Sequence, residues 1–400
     1  MADTRWVLGR LTAPDMHGRG YVNRGDSIAA AFIAHRFDSL GLKPFGNSYM
    51  QPFPMSVNTF PGNVKLKAGR EDLQPGADFI VGAASPSAMG KAKTFMLDTA
   101  VFTSEKARNI FLATPLRGKA PVYFARFAGR IRENEEVQAH LQSAAAIVEI
   151  HDKLTHTISP KTDSMPVFKV LRSKWDRKTS NITFEIKAQL IPRYMSQNVL
   201  GWVSGSTKPD SFVVLTAHYD HLGRMGQATY FPGANDNASG TTMLLALAAY
   251  YSRPENRPEC SIAFMAFGGE EAGLVGSRFY TEHARFPLSS IRFLVNMDLM
   301  GTGDEGINTV NGTLYPKSFS RLQELNNIYK SVPVVKSRGR AANSDHYWFS
   351  ENDVPAFFIY TMGGPQFYHD VNDRAETLPL TKFRELYSLI IAFVEDVQQR

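Results

Sequence analysis

The chain has 400 residues, 43% hydrophobic and 20% charged, more than the ~250–300 at which one hydrophobic core stops growing, so two domains or one with a large insertion are expected. Its 27 Phe, 15 Tyr and 4 Trp exclude global disorder, and the lack of any apolar run of ~18 residues excludes a transmembrane helix. Scattered basic residues, 44 against 38 acidic for a net +6, form no stripe and speak against a nucleic-acid partner.

The opening Met-Ala-Asp-Thr-Arg-Trp has no apolar core of the signal-peptide kind. Two readings follow: a cytoplasmic protein, or the mature form of an exported one. Residues 26–40 predict a helix, with Asp26 or Ser27 as cap, Ile28, Phe32, Ile33, Phe37 and Leu40 at helical spacing, and Gly41 as the stop. Pro44, Pro52, Pro54 and Pro61 then interrupt the chain, marking a passage between units.

From residue 56 to 192 short β-like runs (64–66, 122–124, 146–148, 182–184) alternate with polar turns, with one helical segment near 133–143. From Asn198 onward, strands alternate with helices. Residues 211–217, 261–267, 293–297 and 356–360 are continuous apolar runs, as in strands buried on both faces. Residues 238–252 and 380–398 read as helices. This order predicts an α/β layer on a mostly parallel sheet. The single cysteine, Cys260, opens the second run, so no internal disulfide or cysteine metal cluster can form. It reads as a small buried apolar side chain.

The polar residues at the ends of these strands carry the chemistry. The first ends in Ala217-His218-Tyr219-Asp220-His221, and Gly233-Ala234-Asn235-Asp236-Asn237-Ala238-Ser239-Gly240 precedes the helix. The second ends in Gly268-Gly269-Glu270-Glu271, the third in Asn296-Met297-Asp298, and Phe367-Tyr368-His369-Asp370 follows the fourth. Open α/β sheets bind ligands beyond the carboxyl ends of their strands. Each group taken singly has an ordinary explanation, such as a helix cap or a solvated acidic pair. Five loops bringing carboxylate and imidazole to one edge point to a cation, because adjacent acids repel in a dry cleft without one. Zinc takes this His/Asp/Glu mixture.

These motifs, with Glu270-Glu271-Ala272-Gly273-Leu274-Val275-Gly276-Ser277 and Ser344-Asp345-His346, resemble in order and spacing the M28 family of co-catalytic zinc aminopeptidases over about 198–397. Gly41-Leu42-Lys43-Pro44 and Tyr49-Met50-Gln51 resemble the leader segment of bacterial members, and the middle of the chain resembles the protease-associated insert of many members. The resemblance implies a zinc-exopeptidase fold, a mostly parallel mixed sheet flanked by helices, formed by 1–55 and 193–400, with a smaller β-rich insert at 56–192.

It also implies two Zn²⁺ ions. His218 and Asp298 would hold one, Glu271 and His369 the other, and Asp236 would bridge them. Asp220, two residues beyond His218 on extended chain, would accept the other imidazole N–H. Glu270 would take the proton of the metal-bridging water and hand it to the leaving amine, and Tyr368 would donate to the oxyanion. Ser344-Asp345-His346 would be architectural or substrate-side. Peptides would lose residues from the amino terminus, since acids dominate the motifs while Arg338 and Arg340 lie outside them. A one-zinc glutaminyl cyclase, a carboxypeptidase-like member and a non-catalytic receptor-like protein are the alternatives; the retained His218 and Asp298 speak against the cyclase and the receptor. Relatives with the insert are exported, which implies a periplasmic or secreted location. Phe231, Tyr347, Trp348, Met362 and Phe367 lie near enough to the motifs to line an apolar pocket.

Overall fold

The computed structural model describes residues 2–399. Cys260–Phe267, Lys208–His218, Ile291–Met297 and Ala356–Thr361 lie side by side and parallel at the heart of a nine-stranded sheet. These are the four apolar runs of the sequence, each slightly extended. Alternate residues of one strand point to opposite faces. Val213, Leu215 and Ala217 enter one core while Phe212 and Val214 enter another. Both faces are therefore buried, which explains why the runs are continuous and do not alternate.

Helices cover the two faces. Gly240–Tyr251, Phe383–Gln399, Gly25–Ser39 and Ala2–Leu11 pack Leu244, Leu389, Ile33 and Leu8 into the first core. Val275–Glu282 and His346–Glu351 put Tyr280 and Phe349 into the second. Helix Gly25–Ser39 has no side-chain cap. Asp26 is instead buried and accepts from the Tyr194 hydroxyl at 2.5 Å and Ser196 Oγ at 2.9 Å, tying the helix to strand Gln189–Val203. Antiparallel strands flank the parallel four, Gln189–Val203 on one side and Ile307–Val310 on the other. The last, with Val335–Ser337, is too short to leave a pattern in the sequence.

Residues 64–186 build a second, eight-stranded sheet. Its middle strands, Ala88–Met96, Lys119–Phe124, Ile147–His151 and Val167–Leu171, are parallel. Parallel neighbours need crossovers, and the helices Glu105–Leu112, Ala128–Arg132 and Glu135–Leu141 lie on them, where the sequence pointed to one. The chain passes between the sheets on Met50–Thr59 and returns on Gln189–Val203, and these two strands pair with each other. Their register shifts between Ile191 and Tyr194, beside Pro192, which has no N–H to donate. Leu222, Met225 and Phe231, from the loop after His218, pack into the core of the second sheet. No described helix is long and apolar enough to cross a membrane.

Candidate metal centre and active site

His218 ends strand Lys208–His218, Asp298 follows Ile291–Met297, and Glu270 and Glu271 follow Cys260–Phe267. Parallel pairing thus delivers all four to one edge of the sheet, and the loop after Ala356–Thr361 adds His369.

The segment 233–240 is a set of hydrogen bonds that fixes Asp236 and Asp298 relative to each other. Asn237 Nδ2 donates to the Met297 carbonyl at 3.0 Å, and its Oδ1 accepts from Gly240 N at 2.9 Å and Leu299 N at 3.3 Å. Ser239 Oγ accepts from Met300 N at 2.7 Å, and Asn235 Oδ1 from Gly301 N at 2.8 Å. Asn237, therefore, serves the start of the helix, which frees the Asp236 carboxylate from the capping role. Gly233, at φ 58°, turns the chain into this segment; a Cβ there would lie 2.2 Å from the Asp236 carbonyl and 2.3 Å from the His221 ring. The Asp373 carboxylate receives the Asn235 and Asp236 N–H groups at 2.9–3.0 Å.

The two oxygens of Asp236 face different imidazoles. Oδ1 is 3.4 Å from His218 Nε2, which is also 3.3 Å from Asp298 Oδ2. Oδ2 is 3.1 Å from His369 Nε2, which is also 3.1 Å from Glu271 Oε2. The other Glu271 oxygen lies 2.7 Å from His221 Nδ1. Two overlapping ligand sets emerge, His218/Asp236/Asp298 and Glu271/Asp236 with His369 or His221. The donor chemistry fits a borderline cation such as zinc. Among the described residues, buried Asp298 Oδ1 and His221 Nε2 have no hydrogen-bond partner, a costly state unless a cation satisfies them.

The remaining predicted site residues are close by. Glu270 Oε2 lies 3.9 Å from His218 Nε2. His218 Nδ1 is 3.2 Å from the backbone carbonyl of Asp220 and 3.8 Å from its carboxylate. That carboxylate instead accepts from Glu270 N at 3.1 Å and from the Tyr21 hydroxyl at 2.8 Å. Its reach to the imidazole, expected from extended geometry, is lost because the chain leaves the strand at His218. The half-exposed Tyr368 ring stacks on His369 at 3.8 Å between centroids. Ser344 Oγ donates to Asp298 Oδ2 at 3.1 Å and accepts from Asn296 Nδ2 at 2.7 Å, so this serine orients a candidate ligand.

Buried acids and imidazoles set each other's charge. Burial pushes the His369 imidazole down, but Glu271 and Asp236 overcome this and hold it at about 11. His218 is likewise raised well above the usual range, because Asp298 and Glu270 outweigh its burial. Burial would raise Glu271, yet His369 and His221 hold it well below the usual carboxylate range. Burial raises Glu270 well above that range despite His218, and raises Asp220 to about 6 and Asp345 and Asp373 to about 7.

Two residues that the sequence did not single out support the centre. Arg19 is fully buried, and its guanidinium donates to the carbonyls of Leu11, Tyr219, Pro232, Gly233 and Asp236 at 2.7–3.3 Å. Gly18 and Gly20 let its backbone lie against residues 221–223; a Cβ on Gly20 would sit 2.3 Å from Gly223 Cα. The two flanking glycines were the available signal. For His221, the signal was its place three residues after His218.

A cavity of about 220 Å³ opens over the centre, lined by His218, Asp236, Glu270, Asp298 and His369 together with Leu299, Asn343, Phe358, Tyr360 and Tyr368. A neighbouring cavity of about 390 Å³ shares Leu299, Tyr360 and Tyr368 and adds Met362 and Phe367. Of the other aromatic residues expected near a pocket, Phe231 is buried against His156, and Tyr347 packs edge-on against Trp348.

The sequence profile of peptidase family M28 matches residues 198–394. Residues 198–394 belong to this family. Aminopeptidase YwaD of Bacillus subtilis is 27% identical over 284 residues, 66% of this chain and 59% of that protein. A probable zinc metalloprotease of Leptosphaeria maculans is 35% identical over 113 residues, 27% of this chain and 26% of that one. The chain thus spans between a quarter and three-fifths of these two relatives. Among solved structures, BSAP, a zinc aminopeptidase from Bacillus subtilis, shares the fold over 98% of this chain and 94% of that chain, with a TM-score of 0.74 at 18% identity. The peptidase M28 precursor from Shewanella amazonensis covers 99% and 97%, with a TM-score of 0.70 at 17% identity. Both likenesses take in the second sheet as well as the first.

Proposed function

We propose that the protein is a di-zinc aminopeptidase that hydrolyses amino-terminal residues from peptides. The observation that carries this reading is Asp236, whose two oxygens face His218 and His369 separately. His218, Asp298 and Asp236 would hold one zinc, and Glu271, His369 and Asp236 the other. Bound zinc supplies Lewis acidity and a water that ionises near neutral pH. Glu270 accepts the proton of the attacking water and delivers it to the departing amine. Tyr368, whose phenol is raised above its usual range by burial and the surrounding acids, keeps its proton and can donate to the developing oxyanion. Residues 1–55 and 193–400 form the catalytic unit and 56–192 an insert. By family likeness the protein is exported, periplasmic or secreted; fractionation that finds it in the cytosol would reverse that assignment.

Zinc analysis of the purified protein should approach two equivalents. A plateau at one after zinc supplementation, unchanged in Asp298→Ala, would refute the paired site. Affinity should also depend on pH. Metal must displace the proton that His369 holds up to about 11, so binding releases protons. Apparent affinity therefore falls as pH drops across the whole neutral range. Competition titrations at pH 6 and pH 8 measure this, and equal affinities would contradict it.

Asp220→Asn removes a charge 3.8 Å from His218 Nδ1 and weakens the acceptor that fixes Glu270 N. A loss of ~10–100-fold in activity or metal affinity is expected, as for other partners behind metal ligands. An unchanged variant would assign Asp220 to packing alone.

Direction of attack follows from charge. Glu270, Asp236 and Asp298 line the cavity and suit an α-ammonium, while Arg340 is already paired with Glu351 at 2.9 Å. Leucyl or alanyl amides with a free amine should be cleaved and their acetylated forms left intact. Cleavage of acetylated peptides from the carboxyl end would overturn the reading and turn attention to Arg338, which donates to the Tyr360 hydroxyl at the pocket wall.

A further inference from the structure

The loop between two strands of the second sheet reaches into the metal centre. Between strands Ile147–His151 and Val167–Leu171 the chain runs out along residues 152–166 and meets the loop that carries His369. His369 Nδ1 lies 2.7 Å from the backbone carbonyl of His156, and His156 N donates back to the carbonyl of His369 at 3.2 Å. Lys153 Nζ donates to the Gln366 carbonyl at 2.6 Å. The His156 ring is 3% exposed and stacks on Phe231 at 4.9 Å, with the planes 16° apart. Phe231 itself belongs to the core of the second sheet, although it comes from the loop that follows His221. His218 has no such link: its Nδ1 faces the carbonyl of Asp220 on its own strand end.

An imidazole presents Nε2 to a metal in a fixed direction only if its Nδ1–H is held. For His369 the acceptor comes from the second sheet, more than two hundred residues away in sequence. For His218 it comes from the main sheet.

We infer that residues 152–160 of the second sheet are a clasp for His369, making the Glu271/His369 half of the centre dependent on that sheet while the His218/Asp298 half is independent of it. This rests on the two-metal reading above and adds a role for the second sheet. His156 is a positioning residue: it acts through its carbonyl on the ring of His369 and does not meet substrate. The stack on Phe231 keeps that carbonyl in place, so truncating the ring loosens the clasp, and a flat ring of similar size preserves it.

The test is a zinc titration of the metal-stripped full chain against a competing chelator, with no substrate present. The parent should show two binding steps. His156→Ala should weaken one step by ~10-fold or more, within the range for partners behind metal ligands, and leave the other within about 2-fold. His156→Phe should restore the parental curve. Asp298→Ala leaves only the Glu271/His369 half, and adding His156→Ala to it should weaken the remaining step; the same addition to Glu271→Ala should change nothing. Equal shifts of both steps, or no shift, would overturn the clasp. If His156→Ala does not fold, exposed Lys153→Ala decides, with a selective weakening of the same step expected and an unchanged curve counting against the clasp. A parent that binds a single ion would refute the two-metal reading, and the clasp would then stand or fall on whether His156→Ala weakens that ion.

Discussion

Glu270→Gln is expected to reduce turnover at least ~10²-fold, the lower end for loss of a general base, with zinc content unchanged. Gln keeps the size of the side chain and cannot take a proton. Glu270 fits the role by position and environment. Its Oε2 lies 3.9 Å from His218 Nε2 and faces the cavity, while its N–H is pinned by Asp220 at 3.1 Å. Burial raises its pKa well above the usual carboxylate range, and cations beside it act in the opposite sense by favouring the ionised form. The acid limb of kcat/KM should therefore report protonation of this group, and that limb should disappear in Glu270→Gln. Activity within a few-fold of the parent, or an unaltered acid limb, would eliminate Glu270 as the base.

The second large effect is on stability. Arg19→Met should destabilise the protein by about 4 kcal/mol or more, since it strips a donor from five buried carbonyls, of which Gly233 keeps a second donor in Ala238 N, and an unsatisfied buried polar group costs ~1–3 kcal/mol. The charge matters as well. Burial lowers the guanidinium to about 10, against the pull of Asp236, Asp373, Asp220 and Glu271, so it remains cationic at neutral pH and is the buried arginine beneath this acidic cluster. Arg19→Lys offers at most three donors from a point charge without the planar fork and should recover only part of the loss. Urea unfolding of the metal-free forms separates this from metal binding. A midpoint for Arg19→Met within experimental error of the parent would show that the carbonyls find other donors.

Legibility differed from residue to residue for physical reasons. The four parallel strands could be read because a strand buried on both faces is an unbroken apolar run, and Cys260–Phe267 is buried at every position. The strand-end residues could be read because carboxylates and imidazoles placed directly after such runs must gather at one edge of the sheet. The crossovers of the second sheet were harder: Ala128–Arg132 has five residues and Glu135–Leu141 seven, too few for a helical period to declare itself. The partners of the Asp220 carboxylate were not legible because the chain turns after His218, which brings the Asp220 carbonyl to the imidazole and its carboxylate to Glu270 N and the Tyr21 hydroxyl.

By itself, then, the sequence determined the α/β sheet, the edge at which chemistry collects and the residue types gathered there, because periodicity and side-chain chemistry are local properties. Only the tertiary structure decided how those residues are held. The Arg19 guanidinium reaches the Tyr219 carbonyl across two hundred positions, Asp373 receives the Asp236 N–H across 137, and His156 faces His369 across 213. Apart from the Asp373 carboxylate, the acceptors in these contacts are backbone carbonyls. Every residue carries a backbone carbonyl, so nothing in the sequence marks which of them the fold will bring to an arginine or to an imidazole.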